Sequence, residues 1–111
     1  REKMKLITKE IEKKLEQSNI MDSPINAEII LKLFGGSAAT WWITSGERDE
    51  SGEWMFYGVT DLGHGFREMG YISFAELKEI KFPPFGLGIE RDMHFSSGQV
   101  FNPDLEIGSK V

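Results

Sequence analysis

The chain has 111 residues, is 40% hydrophobic, lacks cysteine and carries a formal net charge of −5 at pH 7. This length allows one domain and not two, and the hydrophobic content supports a packed core rather than a disordered chain. The lack of cysteine excludes disulfides, thiolate zinc sites and cysteine nucleophiles, and no apolar run approaches the ~18 residues of a membrane span. We predict one domain over residues 1–111, located in the cytoplasm and not bound to a membrane.

The charge is unevenly distributed along the chain. Residues 1–17 contain six basic side chains and four glutamates, a net +2, whereas the rest of the chain has a net −7. Binding to nucleic acid requires a clustered basic surface that displaces counterions from the phosphates. An acidic body with one weakly basic segment does not provide that surface, so nucleic acid is not an expected partner.

The N-terminal segment has the pattern of a short amphipathic helix. Thr8 is a suitable N-cap, and Glu10 places a carboxylate in the first turn, where the helix dipole favours it. Ile11 and Leu15 recur at the i, i+4 spacing of one helix face. We predict a helix that ends near Gln17 and docks through one narrow apolar stripe.

Three strands are predicted next. The segments rich in aromatic and β-branched residues are Ala27–Phe34, Thr40–Ser45 and Glu53–Thr60. Gly52 lies in the charged turn before the third of them and accepts a left-handed conformation, which predicts an antiparallel hairpin. Phe66–Ile72 has the pattern of a fourth strand.

A capping box follows the fourth strand. Ser73 is the predicted N-cap and Glu76 its partner three residues later, so we expect a short helix over Phe74–Glu79. The prolines and glycines of Phe82–Gly88 predict a loop, and Ile89–Phe95 returns to an extended pattern.

The predicted fold class is α+β: a mostly antiparallel sheet of four or five strands, with an N-terminal helix and a short helix after strand four. Its core is expected over residues 4–95, and the tail 96–111 is expected to be irregular. Strands two and three carry apolar side chains on both faces, which is untypical of a sheet with one wet face. The helices can cover one face. The other needs the 82–88 loop with the tail, a second subunit or a bound ligand, and we favour a homodimer.

Four stretches of the chain occur in a recognisable order: MKLITKEIEKKL, ATWWITSGERDESGEWMFYGVT, GYISFAELKEI and PPFGLGIERDMHF. In this order they resemble a family of small proteins from bacteria, plasmids and phages known as domain of unknown function 2958. The resemblance extends from Met4 to Phe95, and GYISFAEL and GLGIERDMHF are its most specific parts. It implies an accessory or counter-defence role in mobile DNA, but no enzymatic activity and no site residues.

The extended segment after the loop contains the first set of candidate site residues. On a strand, Glu90, Asp92 and His94 share one face. Two carboxylates and an imidazole are ligand types of a Mg²⁺ or Mn²⁺ site, which would make the chain a small metal-dependent hydrolase. The alternative is a polar solvent face. We favour that alternative, because three ligands on one strand rarely suffice for a metal, and we expect no cofactor.

Arg91 falls on the opposite, apolar face of the same segment. A guanidinium in apolar surroundings must be paired, since a buried unpaired charge is very costly. One interpretation is a structural buttress bound to loop carbonyls or to a carboxylate such as Glu68, Glu76 or Glu79. The other is a fork presented to a phosphate or carboxylate ligand. The first is the commoner arrangement, and both stay open.

Two glycines and two aromatic residues complete the candidate binding residues. Gly86 and Gly88 follow Pro-Pro and lead into the charged segment, an arrangement that can cradle an anion although it lacks a phosphate-loop signature. Trp41 and Tyr57 belong to an aromatic group that can stack a base or nucleotide. The commoner role of such strand aromatics is to fill the core.

No catalytic motif is present in the sequence, which favours a protein that is not an enzyme. The first hypothesis is a non-catalytic binding module that acts through a protein partner or a small anionic ligand. Its site would combine Glu90, Arg91 and Asp92 with the 82–88 loop and the aromatic face. The alternatives are the metal-dependent hydrolase and an acidic inhibitor that mimics DNA. The latter requires a continuous surface stripe of carboxylates.

Overall fold

The computed structural model describes residues 6–24, 27–36, 38–93 and 95. Within them the chain forms α1 (Lys9–Glu16), β1 (Leu31–Gly35), β2 (Ala39–Arg48), β3 (Trp54–Asp61), β4 (Arg67–Ser73), α2 (Phe74–Glu79) and β5 (Glu90–Arg91). The strands form one antiparallel sheet in the order β4-β3-β2-β1-β5. The predicted α+β class, with an N-terminal helix and a short helix after the fourth strand, is confirmed.

Helix α1 begins and docks as its sequence pattern predicts. Thr8 is the N-cap, and its Oγ1 accepts a hydrogen bond from the backbone N–H of Ile11 at 3.2 Å, which satisfies one donor of the open first turn. Leu15 is completely buried, and Ile11 packs beside it against the same cluster. Gln17 is the C-cap, where the end of the helix was expected.

The hairpin of β2 and β3 forms the centre of the sheet. In its turn Gly52 has a φ of 88°, so the predicted left-handed conformation is present. At the end of β2, Arg48 reaches α1, where its guanidinium pairs with Glu12 and lies 4.8 Å from the centre of the Trp54 ring. The hairpin and the helix are therefore joined by charge as well as by apolar packing.

One extra residue interrupts the pairing of β2 with β3. Ile43 lies opposite Gly58, but Ser45 lies opposite Tyr57, so Thr44 has no partner position of its own and forms a β-bulge. Side chains alternate between the two faces along a strand, and one extra residue shifts that alternation by one. In β2 the odd-numbered residues face the helices before the bulge, and the even-numbered residues face them after it.

The first face of the sheet lies under both helices and carries the larger hydrophobic cluster. Its buried members on the central hairpin are Trp41, Ile43, Trp54 and Phe56. Phe82 of the 82–88 loop packs against this cluster, beside Gly35, whose missing side chain leaves room for the ring. Phe82 thus packs on the first face, whereas one of the three alternatives was that the loop and the tail cover the second.

The second face of the sheet has a smaller buried cluster. Ile29 and Val59 are buried there, and Trp42 and Phe95 pack against them. Part of this face is covered by the chain itself, from the segment before β1 and from the residues after β5. The predicted irregular tail, 96–111, lies outside the described residues.

Strand β5 is shorter than the predicted Ile89–Phe95. Its two residues pair with Phe34 and Leu33 of β1. Beyond them, the backbone N–H of Phe95 donates a hydrogen bond to the carbonyl of Asp92 at 3.2 Å, so the chain turns instead of continuing the strand. This turn places Phe95 on the second face rather than on the first with Ile89. In the described parts of the chain, neither helix is long and apolar enough to cross a membrane.

Candidate functional site

A cavity of about 190 Å³ lies between α1 and the outer edge of β1. Helix α1 and its N-cap contribute one wall, the start of β1 contributes another, and the residues at the end of β5 close it. The side chains used below are those of Thr8, Glu10, Lys14, Lys32, Arg91 and Asp92.

Three cationic residues from three different elements line this cavity. Lys14 comes from α1, Lys32 from β1 and Arg91 from β5, and all three are half-buried. Among the described residues, the walls also contain two carboxylates, Glu10 and Asp92. A group of three cationic residues at one cavity stands out in a chain whose net charge is −5.

Lys32 and Lys14 each have a carboxylate neighbour. Lys32 Nζ lies 3.3 Å from Asp92 Oδ2, and Lys14 Nζ lies 3.0 Å from Glu28 Oε2. An ammonium group has three N–H donors, so one ion pair does not exhaust it. Both pairs are partly exposed to solvent, where an ion pair is worth about 0–1 kcal/mol. An anion that enters the cavity can therefore interact with both ammonium groups, because weakening these ion pairs costs little free energy.

Backbone pairing fixes Arg91 at the cavity. Arg91 lies opposite Leu33 on the first face of the sheet, as the predicted alternation requires. The backbone N–H of Asp92 donates to the carbonyl of Lys32 at 3.0 Å, which holds the next residue against the same edge. The guanidinium is thus carried by a short strand that is tied to β1 on both sides of it.

The carboxylates considered as buttress partners of Arg91 lie in the other half of the sheet. Glu68 is on β4, at the edge opposite β5, and four strand spacings of about 4.8 Å separate the two strands. Glu76 and Glu79 are on α2, which contacts β3 and β4. Glu68 therefore lies too far from Arg91 to pair with it, and that interpretation is wrong.

The alternative metal site is only partly described. Glu90 lies opposite Phe34 on the second face, and Asp92 follows it two residues later with Lys32 beside its carboxylate. The Lys32 ammonium group neutralises part of the negative charge of Asp92, and a metal ion needs that negative charge in its ligands. Among residues 6–24, 27–36, 38–93 and 95, no three histidine or carboxylate side chains are grouped to hold a metal ion. His94 lies outside the described residues, so its role stays a prediction.

The glycines of the 82–88 loop do not line the cavity with Arg91. Gly86 has a φ of 68° and lies in an exposed turn. Its backbone N–H and that of Leu87 both donate to the carbonyl of Phe82, at 2.8 and 3.2 Å. An anion cradle needs unused backbone N–H groups, and this turn uses two of them internally. Gly88 is half-buried beside the Ile80 carbonyl.

The two aromatic residues expected to bind a ligand lie on opposite faces. Trp41 is 5% exposed within the first cluster and has no surface to offer a ligand. Tyr57 lies on the second face, where its ring centre is 4.9 Å from that of Tyr71. These side chains therefore do not form one stacking platform.

Acidic side chains of the described surface pair with basic ones on several elements. Six carboxylates take part in ion pairs, namely Glu12, Glu16, Glu28, Glu53, Asp61 and Asp92. Their partners come from both helices and three strands. This mixture does not match the continuous stripe of carboxylates that a mimic of DNA requires.

Two members of the cationic group, Lys14 and Lys32, are absent from the set predicted from the sequence. The sequence does indicate the position of Lys14. It follows Ile11 by three residues, so it lies beside the apolar face through which α1 packs on the sheet. Lys32 has no comparable signal. Its closeness to Arg91 depends on the pairing of β1 with β5, which joins residues far apart in the chain.

A second and larger hollow, of about 380 Å³, lies at the C-terminal end of α1. Its walls combine Lys14 with two carboxylates, Asp22 and Glu28, and with several hydroxyl groups. Charges of one sign do not converge there, so this hollow does not define a class of ligand.

Comparisons with known proteins identify the family of the chain. No curated protein and no solved structure matches it significantly. The family model described as protein of unknown function (DUF2958) matches residues 4–107, which is nearly the whole chain. The resemblance seen in the sequence is thereby confirmed, and the chain belongs to the DUF2958 family.

Proposed function

We propose that this chain is a non-catalytic binding module that holds a small anion, a phosphate or carboxylate group, between α1 and the β1–β5 edge. One observation carries the proposal. Lys14, Lys32 and Arg91 come from three separate elements and line one cavity in an acidic protein. In this proposal the module acts in the cytoplasm as an accessory protein of a mobile element, the role that the family resemblance implies.

The chemistry of the lining suits an anion. A guanidinium donates two parallel hydrogen bonds to a carboxylate or phosphate, and the two ammonium groups add charge without a fixed geometry. Thr8 and Glu10 belong to the N-terminal turn of α1, which also borders the cavity. The positive end of a helix dipole favours an anion at this position.

Inorganic phosphate is a suitable first probe, titrated against the full chain and followed by the NMR shifts of backbone amides. We expect the amides of residues 8–14 and 30–32 to shift. Arg91→Gln should weaken phosphate binding roughly ten- to hundredfold, since a hydrogen bond to a charged group contributes about 1.5–3 kcal/mol. Lys81→Gln removes the same charge from an exposed residue outside the cavity walls and should bind like the original chain.

Three outcomes would contradict the proposal. Shifts that are scattered over the surface, or absent at millimolar phosphate, would show that the cavity does not bind an anion. An equal loss of affinity in Arg91→Gln and Lys81→Gln would indicate attraction by overall charge. Unchanged affinity in Arg91→Gln would remove the guanidinium from the site.

A further inference from the structure

The two edges of the sheet are protected to very different degrees. β5 is an edge of two residues, whereas β4 is an edge of seven. β4 pairs with β3 in one unbroken register from Arg67 to Ser73, without a bulge. It contains neither proline nor lysine, and its central residues Met69, Gly70 and Tyr71 are uncharged. Natural edge strands are normally shortened, bulged or charged, because their unpaired N–H and C=O groups otherwise recruit another strand.

Exposed apolar side chains are concentrated at this edge. Tyr71 is 63% exposed and Met69 is 43% exposed, and both lie on the second face of the sheet. Leu62 and Phe66, in the connection that leads into β4, are also exposed. Large apolar side chains grouped at one place on a surface mark an interaction site more often than single ones do.

Nothing in the described chain requires a glycine at position 70. Its φ is not in the left-handed region, and a Cβ added to it would meet no described atom within 4 Å. By contrast, a Cβ on its cross-strand partner Gly58 would collide with the backbone of β2. A glycine in a strand weakens that strand, and it often marks a place where another backbone approaches closely.

We propose that β4 is a self-association surface, along which a second copy of this chain pairs antiparallel and extends the sheet across two protomers. Antiparallel pairing about Gly70 places Gly70 beside the partner's Gly70 on the two-fold axis. The same register sets Met69 opposite the partner's Tyr71, and Tyr71 opposite the partner's Met69.

The sequence of β4 is compatible with pairing to a second copy of itself. Arg67 and Glu68 both lie at the start of β4, so antiparallel pairing keeps the charges of the two copies at opposite ends of the interface. In this register Arg67 faces the partner's Ser73, and Glu68 faces the partner's Ile72. Like charges are nowhere opposite one another, and the apolar side chains meet in the middle.

Light scattering on the full chain tests the proposal. At micromolar concentration we expect twice the 12.6 kDa of one chain. Met69→Lys should reduce the mass to that of one chain, because each of the two copies then places an ammonium group in the apolar centre of the interface. Met93→Lys is the matched control, since Met93 is 61% exposed and follows β5 at the other edge. A single-chain mass for the original protein would overturn the proposal, as would equal masses for the two variants.

Covalent trapping tests the register even if the lysine variant folds poorly. The chain has no cysteine, so Gly70→Cys introduces one thiol per copy, at a position where an added Cβ meets no described atom of its own chain within 4 Å. Cα atoms of paired residues lie about 4.5–5.5 Å apart, within the span of a disulfide. We expect diamide to convert Gly70→Cys, but not Met93→Cys, to a covalent dimer. Equal trapping of the two variants, or none, would overturn the register. A strand from another protein on β4, or residues 96–111 of the same copy, would leave Gly70→Cys monomeric.

Discussion

At the scale of single residues, the bulge in β2 contains two neighbouring hydroxyl groups in opposite situations. Thr44 Oγ1 donates a hydrogen bond to the carbonyl of Tyr57 at 3.3 Å. Ser45 Oγ is buried and has no hydrogen-bond partner among the described residues. An unsatisfied buried hydroxyl costs about 1–3 kcal/mol, whereas a satisfied one contributes about 0.5–1.5 kcal/mol.

Substitutions at these two positions should therefore change stability in opposite directions. Ser45→Ala removes an unsatisfied group and should raise the free energy of unfolding by about 1 kcal/mol. Thr44→Val removes a hydroxyl that makes a hydrogen bond and should lower the free energy of unfolding by about 1 kcal/mol. Urea denaturation of the three proteins measures both changes. Destabilisation by Ser45→Ala would show that Ser45 Oγ has a partner, such as a buried water.

Single-residue predictions from the sequence succeed where local geometry decides. Thr8, Ser73 and Gly52 are predicted because a cap or turn depends only on residues a few positions away. Arg91 is recognised as unusual because a charge interrupts an apolar pattern. The residues near Arg91 cannot be predicted from a local pattern. Lys32, for example, lies near Arg91 only because β1 pairs with β5, which is distant in the sequence.

At the scale of elements, the turn of the β2–β3 hairpin is organised by one carboxylate. Asp49 Oδ1 accepts hydrogen bonds from the Ser51 hydroxyl at 2.7 Å, the Ser51 N–H at 2.9 Å and the Glu53 N–H at 3.0 Å. These bonds favour the charged form, and the side-chain bond from Ser51 is the largest cause of a lowered pKa of Asp49.

The lowered pKa predicts how stability depends on pH. Because the pKa of Asp49 in the folded chain lies below its ordinary value of 3.8, its carboxylate stabilises the fold above that value. This contribution is lost as the pH falls through the lowered pKa. We expect Asp49→Asn to be less stable than the original chain near neutral pH and equally stable in strong acid. Denaturant midpoints at a series of pH values measure the difference, and a difference that is independent of pH would contradict this origin.

Element boundaries are predictable to different degrees. Helix α2 lies at Phe74–Glu79 as expected, since a capping box and two prolines bound it in the sequence. β1 begins at Leu31 rather than Ala27, and β5 ends at Arg91 rather than Phe95. Both ends lie at the edge where β1 meets β5. There, strand length is limited by the neighbouring backbone and not by the composition of the segment.

At the scale of the whole molecule, the described chain has two hydrophobic clusters on one sheet. Trp54 belongs to the larger cluster under the helices, and Trp42 belongs to the smaller cluster on the second face. The central strands β2 and β3 contribute residues to both clusters. Loss of either cluster should therefore disturb the strands that support the other.

We expect both faces to unfold in one transition. A variant that retains only Trp42 and a variant that retains only Trp54 each place one fluorescent reporter on one face. In each variant, the denaturant midpoint by fluorescence should equal the midpoint by far-ultraviolet circular dichroism, as in two-state unfolding. An earlier fluorescence transition in the Trp42 variant would show that the second face melts separately.

The order of the strands is the part of the fold that the sequence predicts least. The β2–β3 hairpin follows from a short charged turn, and the alternation of side chains correctly assigns Trp41 and Trp42 to opposite faces. The return of β5 to the free edge of β1 depends on two residues of pairing across more than fifty residues of chain. Such a contact has no local pattern that would reveal it.

The bulge at Thr44 has a consequence for insertions and deletions in this chain. Removal of Thr44 would restore regular pairing and would leave every later residue of β2 opposite its present partner in β3, and therefore on its present face. Arg48 would stay opposite Trp54, on the side of the sheet where it pairs with Glu12 and lies near Glu16. The bulge thus holds one residue more than the contact between hairpin and helix requires. Position 44 should accept a deletion as well as several substitutions.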